Sequence, residues 1–271
     1  MVIKGVIPLF ALGGIKLPMI TEKCSIMSNR ENEEVFLIKY LPDNKIIDEV
    51  VIAIHGFGST KHSDTITMLA EKISEHGYAV FALDLPAHGE SKTEILTIDK
   101  AINYLLDLEN YIKQEYKEAK IGYFASSFGA YLTLLRLNKL EKEEEIDKVV
   151  LRCSAIDMKN IFKNNLLDEG YEKFEKQGYA DLGFARKVHC TKDFLSDLEK
   201  NDVFKNYHSN HKILLFHGTD DECAPYKDAQ RFVDENENAE LKTIVGAGHR
   251  FLNPGEIEKA IEIASNYYIE K

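Results

Sequence analysis

Short apolar runs, none longer than a strand needs, recur along this chain and are separated by segments of helical period. The runs fall at residues 50–54, 79–84, 121–125, 148–152 and 213–216. A strand that is apolar almost throughout, rather than at every second position, is one covered on both faces. Between the runs, residues 63–76 place Ile66, Leu69, Ala70 and Ile73 at helical spacing. Residues 97–118 set Ile98, Ala101, Ile102, Leu105, Leu108 and Ile112 on one stripe. A further strand is read at 35–41, a helix at 128–137, and a helix at 225–233 with Pro225 near its first turn. A strand at 240–245 and a helix from about 255 to 268 complete the series. Strands alternating with helices predict an α/β fold with a doubly wound, mostly parallel sheet.

The alternation breaks between residues 154 and 210. That stretch is charged and only weakly periodic, and it is studded with Phe162, Tyr171, Phe174, Tyr179, Phe184 and Phe194. It is read as a small inserted cap over the carboxyl ends of the strands, where such sheets bind ligands. Residues 1–153 and 211–271 then form the core. With 271 residues, 44% of them hydrophobic, the chain suffices for one large domain carrying such an insertion. The run 141–145 is expected to be a solvated loop or helix end.

A formal net charge of −11 argues against a nucleic-acid partner and against an anionic membrane surface. The cysteines Cys24, Cys153, Cys190 and Cys223 are scattered without paired spacing, so neither a zinc site nor a disulfide framework is expected. Free thiols fit a reducing cytoplasm. Near the N-terminus, Lys4 precedes an apolar run over 5–15 that Pro8 interrupts and no small-x-small cleavage site follows. The run is too short to span a bilayer, and it is read as an apolar arm lying on the domain.

The chemistry is carried by Lys120-Ile-Gly-Tyr-Phe-Ala-Ser-Ser-Phe-Gly-Ala-Tyr-Leu132. An apolar, β-prone stretch meets a small-x-Ser-x-Gly turn and then a helix-like segment. A serine hydroxyl is a weak nucleophile, so an enzyme that uses one presents it exposed, beside a base and an oxyanion site. A strand turning abruptly into a helix does this for Ser127, and it aims the following N–H, that of Phe128, at the reacting oxygen. The pattern departs from its common form at Ala125, where Gly is usual and where a methyl group is expected to be tolerated.

Nine histidines compete for the role of base. His249 stands in Val245-Gly-Ala-Gly-His-Arg-Phe-Leu252, a Gly-flanked loop directly after the last strand. The orienting acid lies in Phe216-His-Gly-Thr-Asp-Asp-Glu-Cys-Ala-Pro225, again just past a strand. Asp220 and Asp221 are both available, and Asp221 is favoured because x-x-small-Pro follows it. Asp220 and Glu222 are read as helix-entry or solvated charges. In His55-Gly-Phe-Gly58, a Gly-rich turn aims the Phe57 N–H into the site as the second oxyanion donor, and His55 is expected to fix that loop by hydrogen bonding. Asp84 and His88, in Asp84-Leu-Pro-Ala-His-Gly-Glu-Ser91, are expected to organise a tight turn, with no metal implied.

With these motifs the chain resembles the α/β-hydrolase superfamily, and within it the small capped serine esterases. The group includes bacterial cinnamoyl/feruloyl esterases with monoacylglycerol-lipase-like and serine-aminopeptidase-like relatives. The likeness runs from about residue 35 to 268. It implies the α/β-hydrolase fold, with Ser127 as nucleophile, Asp221 as acid, His249 as base, and Phe57 and Phe128 as oxyanion donors, and it requires no metal or cofactor. The implied activity is hydrolysis of small or arylacyl carboxylic esters through an acyl-enzyme. Peptidase, amidase or thioesterase activity with the same triad is the alternative, and a non-catalytic binding protein on this fold is a third reading. Phe162, Phe174, Phe184 and Arg250 are the candidates to line the substrate pocket.

Overall fold

The computed structural model describes residues 19–43, 46–140, 146–183 and 186–270. Its central sheet has eight strands: β1 (Ile20–Ser28), β2 (Glu33–Leu41), β3 (Glu49–Ile54), β4 (Tyr78–Leu83), β5 (Lys120–Ser126), β6 (Val149–Arg152), β9 (Ile213–Gly218) and β10 (Ala239–Ile244). They lie in the order β1-β2-β4-β3-β5-β6-β9-β10. From β4 to β10 every pairing is parallel, and the β1–β2 and β2–β4 pairings are antiparallel. This is the doubly wound, mostly parallel sheet that the alternation predicts, in the α/β-hydrolase arrangement that the resemblance implies. Strand β1 is an addition to the sequence reading. Its few apolar residues alternate with Lys23, Ser25 and Met27, which face solvent at the sheet edge.

Crossover helices cover both faces. On one side lie α1 (Asp64–Ser74) and α9 (Glu256–Ile269); on the other lie α2 (Ile98–Glu115), α3 (Phe128–Leu137) and α8 (Tyr226–Glu235). The strands show why their sequences are apolar at each position. Val50, Ile52 and Ile54 of β3 enter one core, while Val51 and Ala53 enter the other. Each fully buried aliphatic side chain contributes about 1.5–3 kcal/mol of transfer free energy, so burial on both faces explains the near-absence of polar residues. Helix α2 starts where Thr97 Oγ1 accepts the Lys100 N–H at 3.1 Å, satisfying one of the free donors of its first turn. Pro225 is the residue capping α8, just ahead of its first turn.

Between β6 and β9 the chain forms α4 (Met158–Ile161), a wider π-type turn over Phe162–Leu166, and α5 (Tyr171–Gln177). A hairpin of β7 (Tyr179–Leu182) and β8 (Val188–Thr191), then α6 (Lys192–Lys200) and α7 (Val203–Asn206), complete the segment. The segment is anchored beside the sheet's carboxyl ends. Asn165 Nδ2 donates to the Glu222 carbonyl at 3.0 Å. Gly183 (φ +102°) lies so close to Gly58 that a Cβ there would come within 3.3 Å of the Gly58 Cα. The expected N-terminal arm, the charged run 141–145 and Phe184 fall outside the described residues. No helix among the described residues is long and apolar enough to cross a membrane.

Candidate active site

The parallel register brings five loop starts to one edge of the sheet. Ile54 pairs with Ala125, Ser126 with Arg152, and Ile244 with Gly218. The loops beginning at His55, Ser127, Cys153, Thr219 and Val245 therefore all leave the same carboxyl edge, where doubly wound sheets bind ligands.

Ser127 stands at the β5–α3 corner with φ +53° and ψ −114°, a backbone conformation costing a non-glycine residue about 1–3 kcal/mol. Three main-chain hydrogen bonds hold it there. The Ser127 N–H donates to the Arg152 carbonyl at 2.9 Å, and the Ser127 carbonyl accepts the N–H groups of Ala155 and Tyr131, each at 3.2 Å. The corner is tight enough to require glycine at one place. A Cβ on Gly129 would lie 2.6 Å from the Ile54 carbonyl oxygen and 2.7 Å from that of His55. The Ala125 methyl, by contrast, is absorbed in the core.

His249 Nε2 lies 3.1 Å from Ser127 Oγ. Its Nδ1 faces the Asp221 carboxylate, at 2.8 Å from Oδ2 and 3.0 Å from Oδ1. Asp221 also accepts the N–H groups of Cys223 (2.9 Å) and Ala224 (2.7 Å), and His217 Nε2 approaches it at 3.1 Å. Burial pushes the Asp221 carboxyl upward. Hydrogen bonds from His217, His249 and the Ala224 amide outweigh that effect and hold it well below the usual carboxylate range. It is thus an anion, fixed so that His249 presents an N–H to it and turns Nε2 toward the serine. The neighbouring Asp220 is exposed and accepts only from Thr219 Oγ1, at 2.8 Å.

On the opposite side of Ser127 is the loop 55–58. A Cβ on Gly56 would lie 3.2 Å from Ser127 Cβ, so the loop backbone runs directly against Ser127. Phe128 is the first residue of α3, where an N–H has no carbonyl within the helix to pair with. The Phe57 and Phe128 rings meet edge-on at 5.8 Å. His55 holds this loop as the sequence predicts. Its Nδ1 is 2.7 Å from the Gly56 carbonyl, and its Nε2 accepts the Leu85 N–H at 3.1 Å. Its full burial lowers its pKa, so the ring is neutral.

Asp84 and His88 also organise their turn, and they do so with a partner the sequence reading left out. Asp84 accepts the N–H groups of Lys61 and Glu90, each at 2.9 Å, and pairs with the Lys61 ammonium. Lys61 is only 1% exposed and also reaches Glu90. This ion pair ties loop 55–61 to loop 84–90. Its sequence signal is faint, because a lysine following Gly-Ser-Thr in a loop is ordinarily solvated.

Three further residues at the site lie outside the sequence reading's assignments. His217 braces Asp221. Arg152 Nη2 donates to the His249 carbonyl at 2.8 Å, and Glu222 Oε2 accepts the His249 N–H at 3.0 Å. Glu222 is therefore not merely a solvated charge. The expected pocket residues Phe162 and Phe174 are completely buried: Phe162 packs edge-on to Phe174 and Phe194, and Phe194 reaches Phe128. They pack the segment onto α3 and do not face open space, while Arg250 is exposed. One trio of potential ligands, Cys153, His217 and Asp221, comes together among the described residues. Its His217 Nε2 is already taken by the Ala224 carbonyl, at 2.8 Å, and by Asp221.

Residues 45–177 match the family model described as serine aminopeptidase, S33. A monoglyceride lipase homolog of monkeypox virus is 24% identical, covering 87% of this chain and 94% of that protein. Among solved structures, ferulic-acid-bound Est1E from Butyrivibrio proteoclasticus superposes with a TM-score of 0.78 at 20% identity, covering 91% of this chain and 98% of that one. The α/β hydrolase domain-containing protein 10 from mouse gives 0.71 at 17% identity, covering 90% and 97%. Sheet order and shared fold together give this chain the α/β-hydrolase fold, and residues 45–177 carry the likeness to the serine aminopeptidase family model.

Proposed function

We propose that the chain is a serine esterase acting through an acyl-enzyme on Ser127. The observation that carries the reading is the unbroken line Ser127 Oγ–His249 Nε2 and His249 Nδ1–Asp221, set at a strained strand–helix corner. As Ser127 Oγ attacks the ester carbonyl, its proton passes to His249 Nε2 and the carbonyl electron pair moves onto oxygen. The N–H groups of Phe57 and Phe128 receive that oxyanion, each donor supplying about 3 kcal/mol. The imidazolium, stabilised by Asp221, protonates the departing alcohol as the C–O bond breaks. Water then gives a proton to His249, attacks the acyl carbon, and returns Ser127 with release of the acid.

In this reading the segment 154–210 is the cap. Two contacts support that reading: Asn165 bonds to the loop that carries Asp221, and Gly183 lies against the loop 55–58. The four cysteines are unbridged, which fits the cytoplasmic location proposed for it. The S33 description favours a second reading, cleavage of an N-terminal peptide bond by the same residues. An aminopeptidase needs a carboxylate for the substrate ammonium; Asp221 already faces His249 Nδ1, and Glu222 Oε2 is engaged by the His249 N–H.

The test is hydrolysis of p-nitrophenyl acyl esters, methyl hydroxycinnamates and aminoacyl p-nitroanilides by wild type and Ser127→Ala. Ester turnover lost by several orders of magnitude in a folded Ser127→Ala supports the esterase. Anilide turnover exceeding ester turnover would transfer the assignment to the peptidase.

A further inference from the structure

His249 sits in a loop, where the peptide groups of a residue have no ladder to pair in. Both polar groups of its own backbone end on side chains: the N–H on Glu222 Oε2 at 3.0 Å, and the carbonyl on Arg152 Nη2 at 2.8 Å. The geometry points to Arg152, assisted by Glu222, as the positioning residue that keeps His249 in register with Ser127, a role resting on the esterase reading above.

Arg152 is suited to this by its place in the sheet. It is the last residue of β6 and lies opposite Ser126 of β5, so its carbonyl accepts the Ser127 N–H at 2.9 Å. The backbone of one residue therefore fixes the nucleophile while its side chain fixes the base. Its guanidinium carbon lies 4.5 Å from the centroid of the Phe251 ring. Phe251 holds φ +53°, so the stack pins the far end of the His249 loop where the backbone is itself strained. Arg152 is 7% exposed, so these contacts act largely free of solvent competition. Glu222 is exposed, and its hold on the N–H is the weaker half.

Fold stability does not account for Arg152. Its Nε–H is buried with no acceptor, and no carboxylate pairs with it among the described residues. A buried guanidinium so incompletely satisfied is destabilising relative to an apolar side chain of similar volume. A residue that costs stability and touches both halves of the reacting pair is placed for catalysis. Replacing it should therefore separate stability from turnover.

The experiment compares wild type with Arg152→Met, which keeps the buried stem, and Arg152→Lys, which keeps one donor. For Arg152→Met, kcat should fall roughly 10- to 100-fold, as about an ångström of misplacement implies. KM should stay within about twofold, and the thermal midpoint should be equal or higher. Labelling of Ser127 by a fluorophosphonate should slow by the same factor as kcat, and Arg152→Lys should recover part of the loss. Glu222→Ala should lose less, and its loss should shrink when combined with Arg152→Met, because the two hold the backbone on either side of one residue, His249. An active wild type beside a folded Arg152→Met of wild-type kcat overturns the assignment of Arg152. So does a loss accounted for by fewer labelled sites at unchanged turnover per site. A folded wild type that neither hydrolyses the ester panel nor is labelled overturns the esterase reading itself.

Discussion

Lowering the pH should destabilise this protein in part through the His88 ring. His88 is buried in the turn after β4, its Nδ1 2.8 Å from the Pro86 carbonyl and its Nε2 buried with no partner among the described residues. It is thus the neutral ring with hydrogen on Nδ1, and a second proton would sit where nothing accepts it. Burial, and then the nearby His55 ring at 5.2 Å, push its pKa down from the usual 6.5 to about 3. The unfolded chain binds that proton more readily than the folded one. The contribution is therefore fully present above pH 6.5 and is lost as pH falls toward 3. Over the whole window the loss is about 5 kcal/mol, and about 2 kcal/mol of it falls between pH 6.5 and 5. That upper part lies above the range where carboxylates titrate, so histidines dominate it. Urea unfolding at pH 5.0, 5.5, 6.0 and 6.5 reads the slope. In His88→Asn the amide still donates to Pro86 and nothing titrates, so the slope should fall by about 1.4 kcal/mol per pH unit, one proton's worth. Equal slopes in the two proteins would refute the argument and would mean that His88 is protonated in the fold or solvated through Nε2.

The buried Lys61–Asp84 pair gives a second stability test. Asp84→Asn leaves the buried Lys61 ammonium only the exposed Glu90 carboxylate and should cost up to about 3–5 kcal/mol, roughly 10 °C in thermal midpoint; adding Lys61→Met should restore much of it, and a double mutant no better than Asp84→Asn would contradict the pairing. Asp84 is held below the usual carboxylate range because hydrogen bonds from the Glu90 and Lys61 amides and the Lys61 ammonium outweigh burial. Its contribution should therefore persist down to about pH 4 and fade below that. At the acid position, Asp221→Asn should reduce kcat by orders of magnitude, because the amide no longer holds His249 with its proton on Nδ1. Asp220→Asn, whose carboxylate bonds only to Thr219, should stay within about threefold; the reverse ranking, measured by ester turnover, would move the role by one residue.

What the sequence reveals of this protein is whatever its local chemistry dictates. The strand at 50–54 announces itself because both of its faces are buried, and Ser127 does because strand, turn and helix lie in one run of thirteen residues. Asp221 is separable from Asp220 by its distance from Pro225. Strand β1 is hidden because an edge strand with one exposed side needs few apolar residues. The aromatic residues of the 154–210 segment are visible as a composition, but their direction is not. Whether Phe162 and Phe174 face substrate or each other depends on where α3 puts Phe128 and on Phe194, which lies between them and it. The residues whose roles the sequence does not show are charged ones: Lys61 and Arg152, and Glu222, read there as a solvated or helix-entry charge. Their partners lie 23, 97 and 27 positions away, and a lysine, arginine or glutamate carries no mark that separates a buried brace from a solvated surface group. The placing of Ser127 is a property of a segment and can be read as one. The positioning of His249 is a property of the closed sheet, in which residues 152, 222 and 249 become neighbours only after β6, β9 and β10 have paired.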